Sequence, residues 1–113
     1  MNLYGLIGYP LGHSFSKKYF TQKFETEDLK DCFFELFPLT SIDELPGLIQ
    51  SKPSLKGLAI TIPYKQSAIP YLQNVSNDAH QIGAVNCIKI KEGLLTGYNT
   101  DIIGFEKSFR RNA

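Results

Sequence analysis

Polar side chains that could bind or react with a ligand form four short clusters along the chain. Each cluster follows an apolar run or lies next to one. Ligands of open α/β sheets bind beyond the carboxyl ends of the parallel strands, so polar residues at the ends of apolar runs are candidates for a site. The clusters are Ser14 with Ser16, Thr61 with Lys65, Asn86, and Asn99-Thr100-Asp101.

The first cluster combines two hydroxyls with a predicted helix start. Ser16 is a suitable N-cap for a helix that continues to about Phe24, and an N-cap is worth about 1 kcal/mol without any ligand. Ser14 cannot cap the same helix. Two hydroxyls and the free N–H groups of a helix start can bind a carboxylate or a phosphate. The alternative is that both hydroxyls only satisfy the backbone of the loop.

The other clusters hold a base, an amide and an acid. Lys65 lies near a predicted helix start, where the helix dipole disfavours a cation, so a carboxylate partner is expected. Asp101, at the start of the last predicted helix, could be that partner. The alternatives are a solvated lysine and a helix-capping aspartate. Asn86 lies in a strand-like run, where asparagine is depleted, and needs hydrogen-bond partners that a polar ligand could supply.

The elements that must position these residues alternate between strand and helix. A hairpin signal at Glu92-Gly93 then joins the last two strands. This order predicts an α/β domain whose sheet is parallel in its first half and mixed at the hairpin. Thr40 or Ser41 is expected to cap the second helix, and Pro53 and Gly57 to mark a loop. The predicted strands are 3–8, 31–37, 58–62, 85–91 and 94–98, and the predicted helices are 16–24, 41–50, 66–72, 76–82 and 101–110.

Composition narrows the class of protein. The chain has 113 residues, of which 42% are apolar and 20% charged, as in a soluble single domain. The net charge of +1 gives no footprint for nucleic acid or an anionic membrane, and no apolar run is long enough to cross a bilayer. Cys32 and Cys87 lack a C-x-x-C spacing and indicate buried thiols of a reducing, cytoplasmic compartment, with a disulfide as the alternative. His13 and His80 have no ligand-like neighbours, so no metal is expected.

Four stretches of the chain, in order and in spacing, resemble the motifs of shikimate dehydrogenase, in its N-terminal substrate-binding and catalytic domain. The resemblance covers essentially the whole chain. It implies a three-layer α/β/α domain with a mainly parallel, mixed sheet. It also implies the reversible, NADP-dependent reduction of 3-dehydroshikimate to shikimate, within chorismate and aromatic amino acid biosynthesis. The stretches are Gly8–Ser16 (GYPLGHSFS), Gly57–Lys65 (GLAITIPYK), Ile82–Asn86 (IGAVN) and Gly97–Asp101 (GYNTD).

The resemblance also implies a role for each candidate residue. Ser14 and Ser16 would bind the substrate carboxylate. Thr61, Lys65, Asn86 and Asp101 would bind the ring hydroxyls, and Lys65 with Asp101 would be the catalytic pair. A lysine ammonium can protonate the oxygen of a ketone as hydride reaches its carbon, and such acid–base help is worth about 10²–10⁴-fold.

The chain departs from the family pattern in two places and lacks one part of it. Ala59 stands where the family usually has asparagine, so it is left out of the predicted site, and Lys17 replaces a frequent proline. No G-x-G-x-x-G loop occurs, so NADP is expected to bind a domain outside this chain. Residues 1–113 are then the substrate-binding catalytic domain, 101–113 begin the connecting helix, and the chain alone is expected to be inactive.

Three other readings stay open. The first is a quinate/shikimate dehydrogenase, which Ala59 makes conceivable because one polar group of the family pattern is missing. The second is a non-catalytic shikimate-binding module, and the third is a purely structural protein. The sequence predicts no oligomeric state.

Overall fold

The computed structural model describes residues 2–11 and 15–100, residues 15–17 by their backbone alone. Within these residues six strands form one sheet in the order β2-β1-β3-β5-β6-β4, accompanied by three α-helices. The strands are β1 (Asn2–Gly8), β2 (Cys32–Pro38), β3 (Leu55–Ile60), β4 (Asn74–Val75), β5 (Cys87–Lys91) and β6 (Leu94–Tyr98), and the helices are α1 (Phe15–Thr26), α2 (Leu45–Ser51) and α3 (Asn77–Ile82).

The sheet is parallel at one side and mixed at the other. β1 lies between β2 and β3 and is parallel to both. β5 is antiparallel to β3 and forms a hairpin with β6, whose turn places Glu92 and Gly93 at φ 54° and 81°. These left-handed conformations suit a two-residue hairpin turn. The predicted α/β fold with a mixed sheet is confirmed.

Both faces of the sheet are covered, because the side chains of β1 alternate between two apolar layers. Leu3 and Ile7 join the layer that contains Leu45 of α2 and Ala79 of α3. Tyr4 packs in the other layer, with Phe20 and other residues of α1. A sheet between two helical layers is the predicted three-layer α/β/α arrangement.

The two cysteines are buried in the layer of α1 as free thiols. Burial raises the pKa of Cys87 to about 12 and also raises the pKa of Cys32. Both side chains therefore stay protonated and act as small apolar groups at neutral pH.

Several predicted element bounds were wrong. α1 begins at Phe15, so Ser16 lies in its first turn and is not its N-cap. β3 includes Gly57, which was expected in a loop. Glycine suits this strand position because a Cβ there would come within 3.2 Å of the Tyr4 ring. The helix predicted over 66–72 is only a 3₁₀ turn at Ile69–Tyr71, around a proline that cannot donate a backbone hydrogen bond.

Two helical segments begin after a serine cap near the predicted positions. Ser41 forms a capping box with Glu44, as predicted, but it caps a 3₁₀ turn at Ile42–Glu44 that leads into α2, which itself begins at Leu45. α3 occupies most of the range predicted for it, with Ser76 as its N-cap. The helix predicted over 101–110 lies outside the described residues, as do Ser14 and Asp101. In the part of the chain that is described, no helix has the length and apolarity needed to cross a membrane.

Candidate functional site

Thr61 lies just beyond the carboxyl end of β3, beside the carboxyl end of β1. Its backbone N–H donates to the carbonyl of Ile7 at 2.9 Å, and the N–H of Tyr9 donates to the carbonyl of Ile62 at 3.1 Å. Gly8 permits this approach, because a Cβ there would lie 2.4 Å from Thr61 Cγ2. The half-buried Thr61 is therefore packed against the point where β1 ends and the segment towards α1 begins.

Lys65 is carried by a short turn that is anchored at three points. The N–H of Tyr64 donates to the carbonyl of Thr61 at 3.1 Å, and the carbonyl of Lys65 accepts from the N–H of Val85 at 2.8 Å. The buried phenol of Tyr64 donates to the carbonyl of Leu39. These bonds fix the backbone of Lys65, whereas its side chain is exposed.

Burial holds the pKa of the Tyr64 phenol above its ordinary value of 10.0. The phenol therefore remains a hydrogen-bond donor to the loop after β2 throughout the neutral range. Tyr64, directly before Lys65, therefore links this turn to the loop that follows β2.

Asn86 joins β3, β5 and β6 where the three strands meet. Its carbonyl accepts from the N–H of Ile60 at 2.9 Å, and its N–H donates to the carbonyl of Tyr98 at 3.0 Å. Its side-chain amide faces the backbone of Thr100: Oδ1 accepts from the N–H at 2.9 Å, and Nδ2 donates to the carbonyl at 2.6 Å. Counting only partners among residues 2–11 and 15–100, the half-buried amide keeps one N–H and one acceptor position for a ligand.

The structure brings together the three candidate residues whose side chains it describes, namely Thr61, Lys65 and Asn86. Hydrogen bonds connect their backbones through sequence neighbours: the N–H of Ile60 donates to the carbonyl of Asn86, and the N–H of Val85 donates to the carbonyl of Lys65. All three lie beyond the carboxyl end of β3 or at the adjoining amino end of β5, which is where the topology of an α/β sheet favours a ligand.

The remaining sequence-predicted residues are placed in part or not at all. Ser16 is described by its backbone only, at the start of α1. Ala59, which was left out of the site, is half-buried and packs in the apolar layer of α1.

Sequence reasoning assigned no role to Asn99 or Tyr64, although both form hydrogen bonds within this region. The signal for Asn99 was its position in the fourth polar cluster. Nothing in the sequence pointed to Tyr64, whose partner is 25 residues away.

A cavity of about 590 Å³ lies elsewhere, at the amino end of β3. Its lining includes Leu45, Leu55 and Leu95 and contains none of the candidate residues. Among the described side chains, no group of three Cys, His, Asp or Glu is close enough to hold a metal ion. Thr61, Lys65 and Asn86 offer a hydroxyl, an ammonium and an amide, which are hydrogen-bonding groups suited to a polar organic ligand.

A doubly covered α/β sheet with polar side chains beyond its central strands defines a small-molecule-binding domain. Residues 6–88 match the model of one family, described as the shikimate dehydrogenase substrate binding domain. The chain belongs to this family.

Curated and solved proteins agree with this assignment. Shikimate dehydrogenase (NADP(+)) of Clostridium perfringens is 41% identical over an alignment of 113 positions, which covers 98% of this chain and 41% of the relative. Shikimate dehydrogenase 1 of Peptoclostridium difficile superposes with a TM-score of 0.83 at 35% identity, over 99% of this chain and 43% of that one. Shikimate 5-dehydrogenase of Thermus thermophilus, solved in complex with shikimate, gives a TM-score of 0.80 at 32% identity, over 98% of this chain and 42% of that one.

The chain thus spans about two fifths of the length of the curated relatives it matches. The ligands and reactions of these relatives belong to proteins that are longer than this chain of 113 residues.

Proposed function

We propose that this chain binds shikimate and 3-dehydroshikimate and forms the substrate-binding part of an NADP-dependent shikimate dehydrogenase. The observation that carries the proposal is the grouping of Thr61, Lys65 and Asn86 beyond β3, in a domain of this family. The Thermus thermophilus relative in complex with shikimate supports the choice of ligand.

In this proposal, two sets of polar residues bind different groups of the substrate. Ser14 and Ser16 bind the carboxylate at the start of α1, and Thr61, Lys65, Asn86 and Asp101 bind the ring hydroxyls. The remaining N–H and acceptor position of Asn86 suit a hydroxyl, which can accept and donate. Because the backbone of Lys65 is held in place, its flexible side chain can bring the ammonium to a ligand at a defined position.

Lys65 and Asp101 form the catalytic pair of the proposal. As a ketone is reduced, its oxygen gains negative charge and requires a proton, which the Lys65 ammonium donates. The Asp101 carboxylate orients the ammonium and accepts hydrogen bonds from substrate hydroxyls. NADPH supplies the hydride when it is bound. Because no glycine-rich dinucleotide loop occurs in the chain, we assign NADP to a domain outside it and name no residue for it here.

The cellular setting follows from the same proposal. Two buried, free thiols suit a reducing compartment, so we place the protein in the cytoplasm. Its product would enter chorismate and aromatic amino acid biosynthesis, as the resemblance implies.

A fusion protein tests the catalytic role of Lys65. This chain is joined to the part of the Clostridium perfringens relative that it does not match, and reduction of 3-dehydroshikimate is followed through NADPH absorbance. Lys65→Ala should lower kcat by about 10²–10⁴-fold with a much smaller change in KM, because the proton donor is lost. Lys52→Ala, which removes an exposed lysine near the end of α2, should change neither constant.

An unchanged kcat in the Lys65→Ala fusion would remove Lys65 from catalysis. A fusion that reduces quinate-derived ketones as well as 3-dehydroshikimate would favour the broader quinate/shikimate dehydrogenase. An inactive fusion of a chain that still binds shikimate would favour the non-catalytic module.

A further inference from the structure

Two asparagine side chains continue the pairing of β5 with β6 beyond the point where the strands end. The ladder of backbone pairs ends at Cys87 and Tyr98. Past it, the Asn86 amide makes two hydrogen bonds to the backbone of Thr100. In the opposite direction, Asn99 Nδ2 donates to the carbonyl of Ala84 at 3.1 Å.

The two interactions are reciprocal, and their directions are chemically determined. Each of the segments 84–86 and 99–100 gives one side-chain amide to the backbone of the other. The Asn86 amide cannot be reversed, because its nitrogen would then face the Thr100 N–H and its oxygen would face the Thr100 carbonyl. We call these three hydrogen bonds the amide clamp.

The amide clamp lies next to two of the described candidate residues, Asn86 and Lys65. Asn86 is one of its two side chains, and Thr100 directly precedes Asp101 in the sequence. Val85, between the two clamped positions Ala84 and Asn86, donates its N–H to the carbonyl of Lys65 at 2.8 Å. A displacement of Ala84 would therefore be passed on to both Asn86 and Lys65.

We propose that Asn99 is a positioning residue, which fixes the segment 84–86 and thereby holds Asn86 and Lys65 in their ligand-binding arrangement before a ligand arrives. This inference rests on the proposed function for the identity of the ligand, shikimate. It does not depend on that function for the clamp itself. Asn99 acts through Ala84 and needs no contact with the substrate.

The test uses nuclear magnetic resonance on the 113-residue chain. Asn99→Ala should accelerate hydrogen exchange of the Thr100 N–H about fivefold, the change expected from the loss of one net hydrogen bond. It should also shift the Asn86 side-chain amide and the Val85 N–H, and raise the Kd for shikimate about fivefold. Asn77→Ala, at an exposed asparagine of α3, should change none of these signals.

A measurement without any variant guards against a variant that fails to fold. Couplings across hydrogen bonds should connect Asn86 Nδ2 with the Thr100 carbonyl carbon and Asn99 Nδ2 with the Ala84 carbonyl carbon in the unmodified chain. Absence of the Asn99 coupling overturns the proposal, as does Asn99→Ala with unchanged Thr100 exchange and unchanged Asn86 resonances. A weaker affinity for shikimate without those changes also overturns it, because Asn99 would then act on the ligand directly.

Failure of the proposed function gives a different pattern. The unmodified chain would then not respond to shikimate, while the couplings and the exchange rates would still report whether Asn99 fixes Asn86.

Discussion

The close contact between Gly8 and Thr61 gives the sharpest test of how the site is packed. A Cβ at position 8 would lie 2.4 Å from Thr61 Cγ2, 3.0 Å from the carbonyl oxygen of Ile62 and 3.1 Å from Leu11 Cδ2. Real Cβ atoms do not approach another heavy atom to 2.4 Å, so Gly8→Ala must displace Thr61 or the end of β1. Overpacking of this kind costs about 1–3 kcal/mol.

We expect Gly8→Ala to lower the free energy of unfolding by about 2 kcal/mol. With a typical urea dependence for a small domain, the midpoint of urea denaturation falls by about 1 M. Because the strain falls on Thr61, the variant should also weaken the response to shikimate. Circular dichroism in urea measures the first effect, and a titration measures the second.

A second substitution isolates the cause. Thr61→Ser removes the Cγ2 methyl group but keeps the hydroxyl, so it should relieve the strain in Gly8→Ala by about 1 kcal/mol in a double-mutant cycle. Gly47→Ala is the control, since a Cβ at this α2 position meets no atom within 4 Å. It should leave stability unchanged or raise it slightly, because alanine favours a helix over glycine. Equal stabilities of Gly8→Ala and the unmodified chain would refute the packing argument, and so would strictly additive effects in the cycle.

Two further predictions concern buried polar groups. Because the folded-state pKa of Cys87 is raised from 9.0 to about 12, its contribution to stability is complete below pH 9 and is lost between pH 9 and 12, at about 1.4 kcal/mol per pH unit. In Cys87→Ala, the free energy of unfolding measured in urea should fall less steeply with pH over this range, by that amount per pH unit. An unchanged slope against pH would contradict the assigned burial. Tyr64→Phe, which removes the hydrogen bond to the Leu39 carbonyl, should cost about 1 kcal/mol in the same assay. Tyr9→Phe, at an exposed tyrosine, should cost nothing, and equal effects of the two variants would argue against the Tyr64 bond.

The parts of the fold that the sequence predicts are those specified by local patterns. The apolar run of β1 and the Glu92-Gly93 turn between β5 and β6 are local signals, and both predictions were correct. β4 is only two residues long and exists through its pairing with Thr96 and Gly97 of β6, so no local pattern could reveal it. The start of β3 was missed because glycine usually marks a turn, whereas Gly57 makes room for the Tyr4 ring.

In the candidate site, too, the sequence predicts what local patterns specify and misses what depends on distant partners. Polar residues at the ends of apolar runs predicted that Thr61, Lys65 and Asn86 lie close together. Thr61 follows β3, and Asn86 precedes β5, whose antiparallel pairing brings its amino end beside the carboxyl end of β3. The supporting residues could not be found in this way. Asn99 and Tyr64 donate hydrogen bonds to backbone carbonyls 15 and 25 residues away. Since every residue has a backbone carbonyl, the sequence does not indicate which one accepts the bond.

The central proposal, that this chain binds shikimate at the carboxyl end of its sheet, is tested most directly by an amide chemical-shift titration of the 113-residue chain, with quinate as the comparison ligand. We expect shifts that saturate in the millimolar range and converge on Ser14, Ser16, Thr61, Lys65, Asn86 and Asp101, with smaller shifts for quinate. Shifts confined to other regions, such as the cavity beside Leu45 and Leu55, would contradict the proposed site. The absence of any response to millimolar shikimate would contradict the claim that this chain binds the ligand by itself.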